Sequence, residues 1–347
     1  MKSLVLHGPG DLRVESGPDP VPRRGEVLVS GAYGGICGSD LHYWQHGENG
    51  AFQVEQPLVL GHEFSGHIMQ LGADVAGLEI GQRVTVHPAT TCGACPSCQG
   101  GSRHLCENGS YSGSAAVVPH RAGLFSTMQA VRAEQIRILP PTVAAEHGAV
   151  AEPLAVAIHA VRRAGKIRGL TVLVNGAGPI GALVVAAAKA EGAGLVYASD
   201  LGAPALATAA AMGADATINI AAGGQLPKDV DVVIEASGAP AALGGCIASV
   251  RRGGTIVQVG NLPGGPILAE LAGIVAREIT YVGAFRFDEE MTDAVGLLAG
   301  GLDVSPVVTH TFSLDDAQRA FETAADKNIS SKVLLDLRPS TETRHVA

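Results

Sequence analysis

Four cysteines, Cys92, Cys95, Cys98 and Cys106, fall in the pattern C-x-x-C-x-x-C-x7-C within a loop rich in Gly and Ser. Four thiolates on a short flexible loop can close a tetrahedral zinc site with no open position, which suits a structural metal and not a catalytic one. An iron–sulfur cluster or free thiols are the alternatives; His104 could replace one ligand, but a complete thiolate set needs no substitute. A second set is scattered: Cys37 in GICGSD, His62 and Glu63 in GHE, and Glu152 in AEPLAVAIHA. Taken singly these read as a buried thiol, a core histidine and salt-bridged carboxylates. Together, one thiolate, one imidazole and one carboxylate would neutralise Zn2+ and leave a fourth position for water or substrate, the pattern of a catalytic site. Either Glu63 or Glu152 can supply the carboxylate. Ser39, two residues after Cys37, could take a proton from a substrate hydroxyl held there, and His42 could pass it towards solvent. Asp40 could orient His62. The plainer readings are turn or capping chemistry for Ser39 and Asp40 and a surface imidazole for His42.

A third chemical signal is the run TVLVNGAGPIG, which places Gly176, Gly178 and Gly181 after a strand and before a helix over 179–191, while Asp200 closes the next strand. This is a dinucleotide-binding fingerprint in its required context. Gly176 allows the tight turn, Gly178 lets a pyrophosphate approach the backbone, and Gly181 lets helix and strand pack closely, with Pro179 and Ile180 opening the helix at the phosphates. Asp200 can accept hydrogen bonds from ribose hydroxyls and would repel a 2'-phosphate, and Leu201, Gly202 and Ala203 offer no Arg to reverse that. NAD is therefore favoured over NADP; a strand-end aspartate capping the next helix is the alternative. Ser237, Val259 and Gly260, at later strand ends, are further candidate cofactor contacts.

These groups need two scaffolds. At 347 residues the chain exceeds the size at which one core stops growing, so two domains are expected. Up to about residue 153 the apolar residues come in short β-rich runs, such as 26–30, 64–71 and 83–87, separated by Gly and Pro. From about residue 166, β-branched runs at 171–175, 195–200, 216–220, 231–235, 255–259 and 279–283 alternate with Ala-rich helical stretches. Six strands with intervening helices predict an open, doubly wound parallel sheet of the Rossmann kind, and an α/β protein. The spacing predicts a mostly β catalytic domain over 1–153, a nucleotide domain over 154–285, and a return of 286–347 to the first domain, with frayed polar residues from Arg338 on. Glycine, 46 residues, is nearly twice its usual share, so the chain turns often. A net charge of -9 provides no global positive field for nucleic acid, and no basic cluster flanks the cysteine loop as a nucleic-acid-binding zinc ribbon would require. No apolar run approaches the roughly 18 residues of a membrane span and no export signal is evident, so a cytoplasmic protein with neither membrane nor nucleic-acid partners is expected. Without export, clustered cysteines suggest metal rather than disulfides. Cys246, on an Ala-rich helix, reads as a buried bystander.

The motifs GICGSDLHYW, LVLGHEFSGHI, GQRVTVHP, the four-cysteine loop, AEPLAVAIHA, NGAGPIG and GAFRF together resemble the zinc-dependent medium-chain alcohol and polyol dehydrogenases over essentially the whole chain. The resemblance implies a GroES-like fold for the first domain, two zinc ions per subunit, and a homodimer or homotetramer. Glu at 63 and 152 resembles the sorbitol dehydrogenase branch, in which the Cys, His and Glu of the first two motifs hold zinc and the counterpart of Glu152 holds the zinc-bound water. LHYWQHGENGAF, GSAAVVPHRAGLF, AEPLAVAIHA and GAFRF are similar to the bacterial L-idonate 5-dehydrogenases, which implies a sugar-acid substrate. Ala205, where many relatives place a basic residue near adenine, and Leu124, within Gly-Leu-Phe where Gly-Gly-Phe is expected, depart from the pattern. A sugar acid needs a cation. The candidates are Arg286, His120 and Arg121, of which Arg286 leads because its family counterpart lies near substrate and nicotinamide. Trp44 could form a pocket wall, with core packing the alternative. Lys332 resembles a family position near the cofactor diphosphate or the Glu of GHE. The rival functions are a sorbitol, xylitol or butanediol dehydrogenase and, in another class, a non-catalytic NAD-binding zinc scaffold that senses cofactor.

Overall fold

The computed structural model describes residues 1–339; the expected frayed tail from residue 340 on lies outside the described residues. Arg338, assigned to that tail, instead donates to Asp336 from its backbone and guanidinium, and Leu337 beside it is fully buried.

The first domain is built on a seven-stranded sheet. Its spine is the strand Glu26–Gly35, mostly aliphatic in its first half and mostly small in its second, and buried at nearly every position. One edge of this strand pairs antiparallel with Glu63–Leu71, which leads on to Arg83–Val86 and Ile136–Ile138. The other edge is shared: Met128–Arg132 pairs with its first half and Lys332–Asp336 with its last three residues. The strand Val308–Ser313 then closes that side, parallel to Lys332–Asp336. A core of Leu4, Leu6, Val27, Phe64, Phe125, Phe321 and Leu335 lies beneath. Two places on this frame matter for chemistry: Gly35 leads directly into the turn at Cys37, and Glu63 begins its strand.

The second domain holds six parallel strands in the spatial order Ala216–Asn219, Leu195–Asp200, Thr171–Asn175, Val230–Glu235, Val250–Gln258, Thr280–Gly283. The first strand in sequence is central and its successors lie on opposite sides, so a crevice opens at its carboxyl end, where such sheets take their ligands. The helix Pro179–Ala190 packs through Ala182, Leu183, Val185 and Ala186, all essentially buried.

The division at 153/154 falls inside one continuous helix, Ala151–Arg163, whose buried face joins the second domain's core. The return to the first domain also comes later than residue 286. Met291, Ala294, Val295 and Leu298, spaced as one helical face, bury the helix Glu290–Ala299 against the nucleotide-domain core. The chain rejoins the first sheet only at Val308.

Candidate active site

The helix Gly38–His46 starts beside the spine strand, with Cys37 as its N-cap residue. Asp40 fixes that start: its Oδ2 accepts the Cys37 backbone N–H at 2.9 Å and its Oδ1 the Gly61 N–H at 3.2 Å. Oδ1 also lies 3.9 Å from His62 Nδ1, so one fully buried carboxylate ties the Cys37 and His62 turns together. Burial opposes a charge on His62, but Asp40 and the Cys37 sulfur outweigh it and raise the imidazole well above its ordinary value, as expected where a cation is wanted.

Cys37, His62 and Glu63 each present a ligand atom, all within 4.8 Å of one another. Glu63 is fully buried, and its Oε1 accepts from Lys332 Nζ at 2.6 Å, while Nζ also donates to the Ile36 carbonyl at 2.9 Å. Its other oxygen, Oε2, is buried with no hydrogen-bond partner. A buried carboxylate with one orphaned oxygen, in a trio with a thiol and an imidazole, fits a divalent cation, since buried polar atoms are otherwise paired. Glu152 stands outside this trio, in the first turn of Ala151–Arg163. The Tyr111 hydroxyl donates to its Oε1. Burial, with the nearby Glu63 charge, pushes the Glu152 carboxyl up to about 7 despite His62. Ser39 is half-buried, one helical turn before the exposed His42, and no hydrogen bond joins the two among the described residues. Burial lowers His42, and His46, 5.9 Å away between ring centres, lowers it further together with Lys327.

The four-cysteine loop runs between two short paired strands, Ala89–Thr90 and Ser110–Tyr111. Its sulfurs stand 4.0 Å (Cys92 to Cys98), 3.9 Å (Cys95 to Cys106) and 3.5 Å (Cys106 to Cys92) apart, and all four cysteines are free. Zinc–sulfur bonds of about 2.3 Å in a tetrahedron put sulfurs about 3.8 Å apart, so the loop is shaped for zinc. Backbone N–H groups of Ala94 and Cys95 lower the Cys92 thiol to about 6, favouring the thiolate.

At the nucleotide crevice, Gly176 has a φ of +92°, and a Cβ there would stand 2.5 Å from Ser237 N. A Cβ on Gly181 would meet the Gly176 carbonyl at 1.8 Å, whereas one on Gly178 meets nothing, leaving open space at the amino end of the helix that begins at Pro179 and Ile180. That is the cradle a pyrophosphate requires. Asp200 accepts from Ala177 N at 2.7 Å and Gly202 N at 2.8 Å, bracing the glycine turn. Its carboxylate still has lone pairs to offer a ribose. Buried Glu235 holds the neighbouring strand ends: its side chain accepts from Ser237 N and Gly238 N, and its carbonyl from Val259 N and Gly260 N.

Several sequence candidates fall elsewhere. His120 Nε2 accepts from Glu55 N at 2.9 Å and its Nδ1 meets the Val117 carbonyl at 2.9 Å, so both nitrogens are committed to joining loops and neither is free for substrate. Trp44 takes the packing alternative, edge-on to Phe321 at 5.7 Å in the first domain's core. Lys332 meets Glu63 and not the glycine turn, which removes it from the cofactor contacts. Arg121 is exposed. Cys246 is fully buried and burial pushes its thiol up to about 12. Arg286, by contrast, reaches the site: its guanidinium lies over the Tyr111 ring at 4.2 Å and the Phe285 ring at 4.7 Å. Tyr111 itself, between Arg286 and Glu152, was not among the sequence candidates, because GSYSGS carries no spacing that marks it.

Residues 23–141 match the alcohol dehydrogenase GroES-like domain, and residues 179–300 the zinc-binding dehydrogenase model. Over 98% of this chain and 97% of its relative, the sequence is 38% identical to sorbitol dehydrogenase of Bos taurus; the Bacillus subtilis sorbitol dehydrogenase is 36% identical over 96% and 97%. The chain belongs to the zinc-dependent medium-chain alcohol and polyol dehydrogenases. It is an oxidoreductase of this family, with a GroES-like domain, a Rossmann domain and nicotinamide dinucleotide as cosubstrate. Among dehydrogenases of solved structure, L-idonate 5-dehydrogenase from Escherichia coli superposes with a TM-score of 0.92 at 34% identity, covering 96% of this chain and 97% of that one. A putative zinc-binding dehydrogenase from Sinorhizobium meliloti, bound to NADP, gives 0.88 at 32% identity over 96% and 98%. Among the described residues of this dehydrogenase, no helix is long and apolar enough to cross a membrane.

Proposed function

We propose that this dehydrogenase uses NAD to oxidise a secondary alcohol of a sugar acid, interconverting L-idonate and 5-keto-D-gluconate. The observation that carries the acid is Arg286. Its guanidinium is half-buried over Tyr111 and feels the charge of Glu152, and no carboxylate among the described residues forms an ion pair with it. A desolvated, unpaired cation at a reaction site is a receptor for an anion. The likeness to L-idonate 5-dehydrogenase supports the same choice.

Cys37, His62 and the free oxygen of Glu63 would hold the catalytic zinc, and the four-cysteine loop the structural one. When bound, catalytic zinc acts as a Lewis acid that lowers the pKa of the substrate hydroxyl, as it can lower that of water to about 7, and the nicotinamide accepts hydride. Lys332 holds Glu63 through Oε1 and balances its charge before metal binds, leaving Oε2 without a hydrogen bond. Glu152, with Tyr111 on its Oε1, takes hydrogen bonds at the reacting end. Ser39 Oγ takes up the hydroxyl proton as its own O–H proton leaves towards His42, one helical turn on, whose imidazole, kept neutral near pH 7 by burial and by His46, releases a proton to solvent. Gly176, Gly178 and Gly181 seat the pyrophosphate, with Ser237, Val259 and Gly260 along the crevice, and Asp200 at the adenosine ribose favours NAD over NADP. The assembly would be a homodimer or homotetramer.

The sorbitol dehydrogenases of 36–38% identity favour a second reading, a neutral polyol as substrate. Initial rates with L-idonate and sorbitol, for the parent and for Arg286→Ala, separate the two. The acid reading expects KM for L-idonate to rise at least tenfold more than KM for sorbitol; an equal rise for both would remove it.

A further inference from the structure

The segment bearing Arg286 is not free to choose its own shape. Arg286 has a φ of +53°, a left-handed conformation that a side-chain-bearing residue holds only when its surroundings impose it. Phe287, next along, is buried with its ring 4.9 Å from that of His87. His87 Nδ1 accepts from Ala89 N, so its Nε2 donates, and it does so to the Asp288 carbonyl at 2.9 Å. Both side-chain oxygens of Asp288 are taken by one residue: Oδ2 accepts the Arg103 backbone N–H at 3.0 Å, and Oδ1 accepts Arg103 Nε at 2.9 Å. The Arg103 guanidinium also meets Glu289. Arg103 lies in the short helical turn Arg103–Leu105, between Cys98 and Cys106. The cysteine loop therefore reaches across to the nucleotide domain and grips the chain two residues beyond Arg286, while the hairpin that the loop closes carries Tyr111, on whose ring Arg286 rests.

We infer that Arg103 is a positioning residue for the reaction: through Asp288 it fixes Arg286 over Tyr111, so the cysteine lobe sets substrate affinity as well as stability. An exposed ion pair contributes little on its own, but this one is a two-point grip that includes a backbone donor and acts on a strained turn. The inference rests on the reading of Arg286 as the substrate contact.

The test compares Arg103→Ala, Arg286→Ala and the double variant, each with full zinc content, using whichever of L-idonate and sorbitol is turned over. It measures KM and kcat, NADH affinity by fluorescence titration, and amide exchange of residues 284–290. A displaced Arg286 predicts an approximately tenfold rise in KM for Arg103→Ala, with kcat and NADH affinity within about twofold, since a weakened charge-assisted contact to bound substrate costs about tenfold in affinity when ground state and transition state lose it equally. It also predicts faster exchange at 284–290, and a double variant no worse than Arg286→Ala alone. A merely structural Arg103 would lower the folded fraction and leave KM untouched. An unchanged KM in Arg103→Ala alongside a raised KM in Arg286→Ala, or effects that multiply in the double variant, would overturn the inference. If Arg286→Ala leaves KM unchanged, the substrate reading fails instead; exchange at 284–290 in Arg103→Ala then decides whether the grip exists. Arg103→Ala removes the side-chain contact and keeps the backbone N–H on Asp288 Oδ2, so Asp288→Ala, which removes both, carries the same readouts and serves also should Arg103→Ala not fold.

Discussion

Replacing Lys332 by Met should unsettle the metal pocket more than any surface change. Lys332 and Glu63 are 3% and 0% exposed, with Nζ 2.6 Å from Oε1, and Glu63 Oε2 has no hydrogen-bond partner. Removing the cation alone strands a buried carboxylate, which costs about 3–5 kcal/mol in comparable pairs. That is a large share of the 5–15 kcal/mol by which domains are stable. Trp44, the chain's one tryptophan, packs against Phe321 in the same core, so its fluorescence reports this domain. With a urea dependence of about 2 kcal/mol per molar, the transition of the chelator-treated Lys332→Met protein should move down by about 1.5–2.5 M. Lys332→Met with Glu63→Gln should regain most of the loss, because no charge is then left unpaired. A single variant unfolding within about 0.5 M of the parent would refute the claim that Lys332 neutralises Glu63 in the apo pocket.

Gly181→Ala should cost at least tenfold in NADH affinity, measured by fluorescence titration, since its Cβ would lie 1.8 Å from the Gly176 carbonyl; unchanged binding would contradict the role given to that turn. Cys95→Ser should lower zinc from two to one per chain by elemental analysis, and retention of both ions would contradict a four-thiolate site. Glu290 gives a pH signature: burial raises its carboxyl, but hydrogen bonds from His159 and the Asp288 N–H outweigh this and hold it at about 2, below its ordinary 4.5. Its contribution is present above pH 4.5 and lost as pH falls towards 2. The stability gap between the parent and Glu290→Gln in acid titrations should therefore be full at pH 6 and close below 4.5; a gap independent of pH would count against it.

Local spacing made much of this molecule legible. The glycine turn and the four cysteines each sit on one short segment, so their chemistry is written in consecutive residues. The Cys37, His62 and Glu63 set needed its combination to be noticed, and sequence could not choose between Glu63 and Glu152, since that choice depends on where a helix and a strand end in space. Tyr111 over Glu152 and Arg103 on Asp288 were illegible for the same reason: they join residues 41 and 185 positions apart; Lys332 beside Glu63, 269 positions apart, came from the family resemblance alone. No periodicity reports such pairs. The face formed by Met291, Ala294, Val295 and Leu298 announced a helix but not which core it would cover, and it took the nucleotide domain's.

The strand Lys332–Asp336 has a temporal consequence. A ribosome working at 5–20 residues per second reaches Lys332 roughly 13–54 s after Glu63. Through that interval the entire six-stranded sheet emerges, while the nascent catalytic lobe lacks both closing strands and the ammonium that tempers its carboxylate. The Lys332–Glu63 pair therefore forms only after the coenzyme half has emerged, and that half can serve as the neighbour against which the late strands dock.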